Sequence, residues 1–526
     1  MITSIKLNDE QMRRFVCDGF LVLDSIQDET LHQGIVDKLQ YLNKHEPEIG
    51  NNVLPRISEL NCVLDSPQIR GAIESILGRD FMLHPHRLST PGEPLPEGAR
   101  ELQLGHDVNG PPVGHGSKGF TMWHKDKLGR ARYHTPRFLY LFYFPQDTPI
   151  DRGPTRVIPG SQYYDHSTEA DYPFAFVPEN LKAGSCMLTA IDIDHAGMSN
   201  LTDQTRNMVK FNFMRTQNPT GPSWEGGLSN WRNPEKYLGR YKHEALWSFM
   251  WDWLRGHKKK RFCPSVDIEK CISGLNSADQ QQRLHCIYTL GAMGEPAVEP
   301  LIASLQKFEG RNLMQPLDLF RNTEGVFEPV GDKFERRWGI GAYTVQDEAL
   351  ALGCLGSLAV DSLIGLLNSK DSWIVINAAF ALGEIGSAAA SSVPILASLL
   401  RESDPHVVKA ILEALACIGC NTAPALPELS RLLYSTPGEL GLNDDPQYFG
   451  ADSIHYNVVY VLLLSDLTGK EVEPLLIDLL KAPTTSGRVC ALSLEILVRK
   501  GSEVGLRHAV MYLQAHRWDA TVSMGR

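Results

Sequence analysis

Cysteine is sparse and unpatterned in this chain. Ten residues scattered over 526 lack the dense, regular spacing of a secreted disulfide scaffold, which points to a reducing compartment. Cys417 and Cys420 are the one close pair, with no second pair of Cys or His nearby, so small core residues are expected there and not zinc ligands or a redox centre. Positive charge is also short. Lys and Arg number 51 against 62 Asp and Glu, a net charge of −11 that argues against a general nucleic-acid binder. The concentrated basic run, His257 to Arg261, reads as a solvated linker. No apolar run approaches the length of a bilayer span, and Met1 to Leu7 is no signal peptide, so a soluble, cytoplasmic protein is expected. The length implies two or more domains, each able to bury a core.

The first half alternates helix and strand signals. Asn8 with Gln11 three residues on is a capping-box pattern for a helix ending near Gly19, and Phe20 to Leu23 reads as a strand. A second helix is expected from about Asp28 to Asn43, with Leu31, Ile35, Leu39 and Leu42 on one face. Arg137 to Phe144 and Asn207 to Arg215 are rich in β-formers, and the second alternates Val209, Phe211 and Phe213 against Lys210 and Asn212. Between the strands lies a long Gly/Pro-rich loop, Pro91 to Lys118, holding His106, Asp107 and His115. Loops of that length serve as lids or binding surfaces, although solvated loop histidines are the commoner case. From Glu244 to Arg255, Trp247, Met250, Trp251 and Leu254 form a helical stripe with Phe249 and Trp253 off it. Aromatics on two faces are expected to cement this domain to the next one.

Chemistry concentrates at Trp123-His124-Lys125-Asp126. In an extended strand alternate side chains share a face, so His124 and Asp126 project together while Lys125 points away. An isolated His-x-Asp is more often a surface strand or a hydrogen-bonded loop. Here it is followed in order by the turn Gly153 to Ser161, by His195 after the apolar run Met187 to Ile191, and by Arg206 eleven residues beyond His195. Two His and one carboxylate form the facial triad of non-haem Fe(II) oxygenases, which leaves coordination positions open.

With that order of motifs, residues from about Leu7 to Arg215 resemble the phytanoyl-CoA dioxygenase family of Fe(II)/2-oxoglutarate oxygenases. The resemblance implies a double-stranded β-helix of jelly-roll or cupin-like form with flanking helices. It implies His124, Asp126 and His195 as catalytic iron ligands and Arg206 as the partner of the distal carboxylate of 2-oxoglutarate. A guanidinium fork suits a carboxylate, and neutral imidazoles with an ionised carboxylate suit Fe(II). Ascorbate is a possible reductant. The chain departs from the family pattern at Gly197, where a Ser is common, and at Gln162, where the turn usually ends in His. Arg156 in that turn is open to two readings, a substrate anion or a local carboxylate such as Asp151.

The second half repeats itself. Leu290 to Gly294, Leu352 to Gly356 and Leu382 to Gly386 are near copies of Leu-Gly-x-x-Gly, with Leu415 to Gly419 a weaker one, and each precedes a second apolar helix. This pattern resembles HEAT-like repeats, an all-α solenoid of the kind that binds protein or supports assembly. The expected domains are therefore 1–255, a linker at 256–265, and repeats at 266–526 with an aromatic, charged insertion around 306–343. That insertion is expected to fold back and help close the substrate pocket.

The resemblance implies a dioxygenase that oxidises an unactivated C–H of a small organic molecule, most simply by hydroxylation, with succinate and CO2 as coproducts. Two alternatives stand beside it: a peptide or protein hydroxylase whose repeats capture the target, and a non-catalytic HEAT scaffold. The expected partners are a small-molecule substrate and a protein, or a second copy of the chain, on the repeats, with neither nucleic acid nor membrane.

Overall fold

The computed structural model describes residues 4–515 apart from 25–27, 47–48, 98–122, 127–129, 166, 169, 257–266, 315–335, 337–341, 403, 437–438, 441–450 and 483–484. The described residues fall into two compact units. One is built from 4–126 and 133–256, the other from 130–132 and 267–515.

In the first unit, Asn8 opens helix α1 (Asp9–Asp18) with a complete capping box: its side chain accepts from the Gln11 N–H at 2.9 Å, and Gln11 Oε1 accepts from the Asn8 N–H at 3.0 Å. Gly19 closes the helix at φ 78°, a left-handed value that a residue without Cβ adopts freely, and the chain turns directly into β1 (Phe20–Asp24). Helix α2 (Glu29–His45) starts on the Asp28 cap, as the apolar spacing requires. Helix α3 (Pro67–Leu77) leads to β2 (Met82–Ser89).

Five strands then make one antiparallel sheet. With β3 (Phe138–Tyr143), β4 (Thr155–Val157), β5 (Ser185–Ala190), β6 (His195–Gly197) and β7 (Val209–Met214), the order across it is β1-β5-β3-β7-β2. Directly opposed residues share a face. The register Phe211 with Leu141 and Leu141 with Leu188 therefore defines one face, and Lys210 with Phe142 and Phe142 with Met187 defines the other. The first face turns toward α2, whose His32 Nδ1 lies 2.7 Å from Tyr143 Oη. The second face is inward. A register shift between Phe211 and Phe213 leaves Asn212 without a partner on β2.

Across from that face stands a narrower antiparallel ribbon. β4 pairs with β6, His124 bridges His195 through two backbone hydrogen bonds of 3.0 and 3.1 Å, and Phe176 bridges Val157. A five-stranded sheet against a short-stranded one is the double-stranded β-helix, so the sheet-rich domain expected from the sequence is present.

Helix α4 (Glu244–Leu254) buries Trp247, Met250, Trp251 and Leu254 as its spacing requires. The rings it meets belong to the first unit: Trp231 lies 6.0 Å from Trp247 and Trp224 4.9 Å from Trp251. The off-stripe Trp253 faces the guanidinium groups of Arg137 and Arg215 at 5.8 and 5.0 Å. The stripe and Trp253 are thus packed within this unit.

The second unit is helical. Helices α5 (Gln280–Ala292), α6 (Asp347–Leu355), α7 (Ser372–Ile385) and α8 (Pro405–Ile418) end at the repeated motif. The motif has two separable jobs. Its first glycine admits the next repeat: a Cβ on Gly291 would lie 2.4 Å from Cys354 Cβ, on Gly353 2.9 Å from Glu384 Cβ, and on Gly383 3.1 Å from Ala414 Cα. Its last glycine, Gly294, Gly356, Gly386 or Gly419, has φ between 65° and 77° and ends the helix. Two helical stretches, Asp347–Leu366 and Ser372–Arg401, do meet the length and hydropathy of a bilayer span, contrary to the reading of the bare sequence. They are 56% and 72% buried within the unit, as core helices of a repeat are. Cys417 is buried in α8, where it faces Gly383, in line with its expected core role.

The unit also contains the short parallel pairing of Arg130–Ala131 with Ala342–Tyr343. Glu413 fixes it, accepting from the Ala131 N–H at 3.0 Å and from Tyr343 Oη at 2.9 Å while Lys409 pairs with its other oxygen at 2.9 Å.

Candidate metal centre

Three side chains on the ribbon converge. His124, Asp126 and His195 each offer one ligand atom, all within 4.8 Å of one another. His124 Nε2 is 3.7 Å from Asp126 Oδ1, and His195 Nε2 is 4.0 Å from Asp126 Oδ2. The imidazole centroids are 4.4 Å apart. Backbone pairing explains the convergence, since the bridge between His124 and His195 brings two segments 71 residues apart into register.

His195 and Asp126 are prepared for a cation. His195 Nδ1 is 3.1 Å from the Ile193 carbonyl oxygen, an acceptor only, so Nδ1 carries the proton and Nε2 presents its lone pair to the cluster. Burial, reinforced by neighbouring His124, pushes the His195 pKa down to about 3 and keeps the ring neutral. Burial alone would raise the Asp126 carboxyl, but the Lys210 ammonium, helped by the two imidazoles, holds it well below the ordinary carboxylate range. Lys125 points away as the alternation requires. Its Nζ donates to the carbonyls of Ser161 and Tyr164, both at 2.6 Å, and so pins the turn behind the cluster.

Arg206 enters where the chain runs into β7. Its backbone bridges Gly92 with hydrogen bonds of 2.7 and 2.9 Å, and a Cβ on Gly92 would lie 2.7 Å from its Nη2, so a side chain there would displace the guanidinium from this position. The side chain is buried, its Nε and Nη1 have no hydrogen-bond partner among the described residues, and burial pushes its pKa down to about 10. A buried cation with orphaned donors suits a carboxylate-bearing ligand.

Residues 62–208 match the family model of phytanoyl-CoA dioxygenase, and residues 360–440 match HEAT repeats. The first unit carries a phytanoyl-CoA dioxygenase domain. It is of the non-haem iron, 2-oxoglutarate-dependent oxygenase kind, and the donor set and the orphaned guanidinium both fit those two groups. Among solved structures, it is similar to the non-haem α-ketoglutarate-dependent carbocyclase SnoK from nogalamycin biosynthesis, at 18% identity and a TM-score of 0.30 over 40% of this chain and 85% of that one. It is likewise similar to EctD from S. alaskensis with 2-oxoglutarate and 5-hydroxyectoine, at 17% and 0.29 over 41% and 80%. The non-haem monooxygenase ThoJ in a nickel complex aligns at 19% and 0.29 over 42% and 88%. No curated protein matches the chain as a sequence.

The remaining expectations for the oxygenase domain divide. Gln162 is structural: its Nε2 donates to the Val16 carbonyl, and its amide packs where a Cβ on Gly19 would lie. Ser161 orders the segment before His195, its Oγ accepting from the Asp194 N–H at 2.8 Å. Arg156 is buried and lies 4.6 Å over the Trp123 ring, which stacks on Tyr172 at 5.8 Å. His106, Asp107, His115 and the basic run lie outside the described residues, as does most of the 306–343 insertion. Lys210 was missed. Its strand alternates as expected, but the Lys210 face is the inner one, where Nζ sits 2.7 Å from Asp126 Oδ2.

Proposed function

We propose that His124 Nε2, Asp126 and His195 Nε2 hold Fe(II), that Arg206 receives the distal carboxylate of 2-oxoglutarate, and that the enzyme oxidises, most simply hydroxylates, an unactivated C–H bond of a small organic molecule. The observation that carries this reading is the convergence of two imidazoles and one carboxylate within 4.8 Å. When bound, iron and cosubstrate would supply oxidising power from dioxygen, one oxygen atom going to succinate as 2-oxoglutarate loses CO2 and the other to the substrate.

The chain's own groups do the rest. The Ile193 carbonyl holds the His195 tautomer. Lys125 holds the turn against the ribbon. Arg156, over Trp123 stacked on Tyr172, packs on the ribbon face opposite His195, where the β4–β6 register puts it, and braces the segment that carries His124. The HEAT repeats support a second reading, capture of a peptide or protein substrate.

Anaerobic titration of the protein with Fe(II) and 2-oxoglutarate tests the central claim. A visible charge-transfer band that His124→Ala abolishes is expected. A folded, metal-free sample that gives no band rules the iron site out and moves the weight to the repeats as a scaffold.

A further inference from the structure

The charge of the iron pocket is set by a residue outside the triad. Lys210 stands on β7, between β3 and β2 in the large sheet, facing inward, with its side chain 13% exposed. Its Nζ lies 2.7 Å from Asp126 Oδ2 and 4.7 Å from the centroid of the Tyr140 ring. A cation so enclosed needs a counter-charge, and Asp126 is the carboxylate that meets it. A carboxylate has lone pairs on both oxygens. One oxygen serves the ammonium, and the other, Oδ1, 3.7 Å from His124 Nε2, remains free for a metal.

We propose that Lys210 is a positioning residue that balances Asp126, so that the pocket gives up affinity for Fe(II) and gains affinity for the dianionic cosubstrate. The inference rests on the iron reading above. Fe(II) enters a pocket one charge more positive than it would be without Lys210, which weakens metal binding. The dianion then meets a pocket one charge more positive, which strengthens its binding. By holding one oxygen, Lys210 also limits Asp126 to one bond with the metal and keeps the remaining positions open for chelation.

The two affinities should therefore move in opposite directions when the ammonium is removed. The experiment compares wild type, Lys210→Met and Lys210→Arg under anaerobic conditions. Fe(II) affinity is read by competition with a chromophoric chelator, and 2-oxoglutarate affinity by the charge-transfer band. Lys210→Met is expected to bind Fe(II) about tenfold tighter and 2-oxoglutarate about tenfold weaker, the scale of outer-shell effects on a metal site. Lys210→Arg, which keeps the charge, should stay near wild type in both.

Weakening of both affinities in Lys210→Met, or a change in neither, overturns the proposal, since a merely structural residue would lower them in parallel. If Lys210→Met does not fold, Lys210→Gln is read the same way, and failure of both to fold assigns Lys210 to structure and overturns it as well. Wild-type protein that binds no Fe(II) removes the iron reading and this inference together. Wild type that binds both ligands while Lys210→Met is indistinguishable from it removes this inference alone.

Discussion

Replacing Arg206 by Met should stabilise the protein without ligand and abolish its response to 2-oxoglutarate. Met keeps the length and apolar stem of the side chain while deleting a guanidinium whose Nε and Nη1 are buried with no partner among the described residues. Burial lowers the Arg206 pKa from 12.5 to about 10. At about 1.4 kcal/mol per pKa unit, that shift corresponds to an upper bound of about 3 kcal/mol that the folded state loses by holding the charge. In urea denaturation without ligands, Arg206→Met should therefore unfold at higher urea by an amount equivalent to about 1–3 kcal/mol. The ligand works the other way. Wild type loaded with metal should gain about 2.7 kcal/mol at 2-oxoglutarate one hundred times its dissociation constant, and the variant should gain almost none. The reasoning fails if Arg206→Met is less stable than wild type without ligand and responds to 2-oxoglutarate as wild type does. That pair of results would mean the guanidinium is already satisfied within the protein.

Three further substitutions probe the scaffold. Gly383→Val should cost about 1–3 kcal/mol in urea denaturation of the helical unit, because its Cβ would meet Ala414 Cα at 3.1 Å, whereas Gly365→Ala, with nothing within 4 Å, should be neutral or slightly stabilising; equal effects would show that the repeat helices do not depend on the close approach. Asp18 accepts the N–H groups of Leu238 and Gly239 at 2.7 and 3.1 Å, yet burial pushes its pKa up to about 6 from 3.8. Because its folded pKa is the higher one, the folded state holds the proton between those values, and stability from this group is lost as pH rises from about 4 to about 6. Asp18→Asn keeps the acceptor oxygen and removes the titration, so its stability relative to wild type should rise across that window by up to about 3 kcal/mol, and a pH-independent difference would refute the assignment.

Much of this fold was legible because it rests on local rules. The capping box at Asn8, the stop at Gly19 and the stripe on α4 each depend on residues within one or two turns, and each appears where the spacing puts it. The repeat motif was legible as a period before its physics was visible. Only the neighbouring helices show that Gly291, Gly353 and Gly383 are gaps for the next repeat, while Gly294, Gly356 and Gly386 are turns. The two long apolar helical stretches show the converse. Asp347–Leu366 and Ser372–Arg401 are apolar enough to cross a membrane while 56% and 72% of them are buried in the unit, a distinction composition cannot make.

At the candidate site, the triad and Arg206 were readable because their order along the chain carries the pattern, and the bridge between His124 and His195 supplies its geometry. Lys210 was unreadable for a definite reason. Alternation tells which side chains share a face but not which face is inside, and a Lys in an alternating strand is most simply assigned to the face toward water. β7 lies between β3 and β2, so it has no free edge, and the face that carries Lys210 turns toward the ribbon. Lys210 must then be buried with a counter-charge, and Asp126 comes from a segment 84 residues earlier. Asn212 follows the same logic two residues on. Both its amide atoms are buried without a partner among the described residues, on the same inner face, in register with Tyr140. Polar groups left unsatisfied on the inner face of a central strand cost stability unless a ligand or water engages them. The parts of this strand that sequence alone assigns to the outside are therefore the parts that face the chemistry.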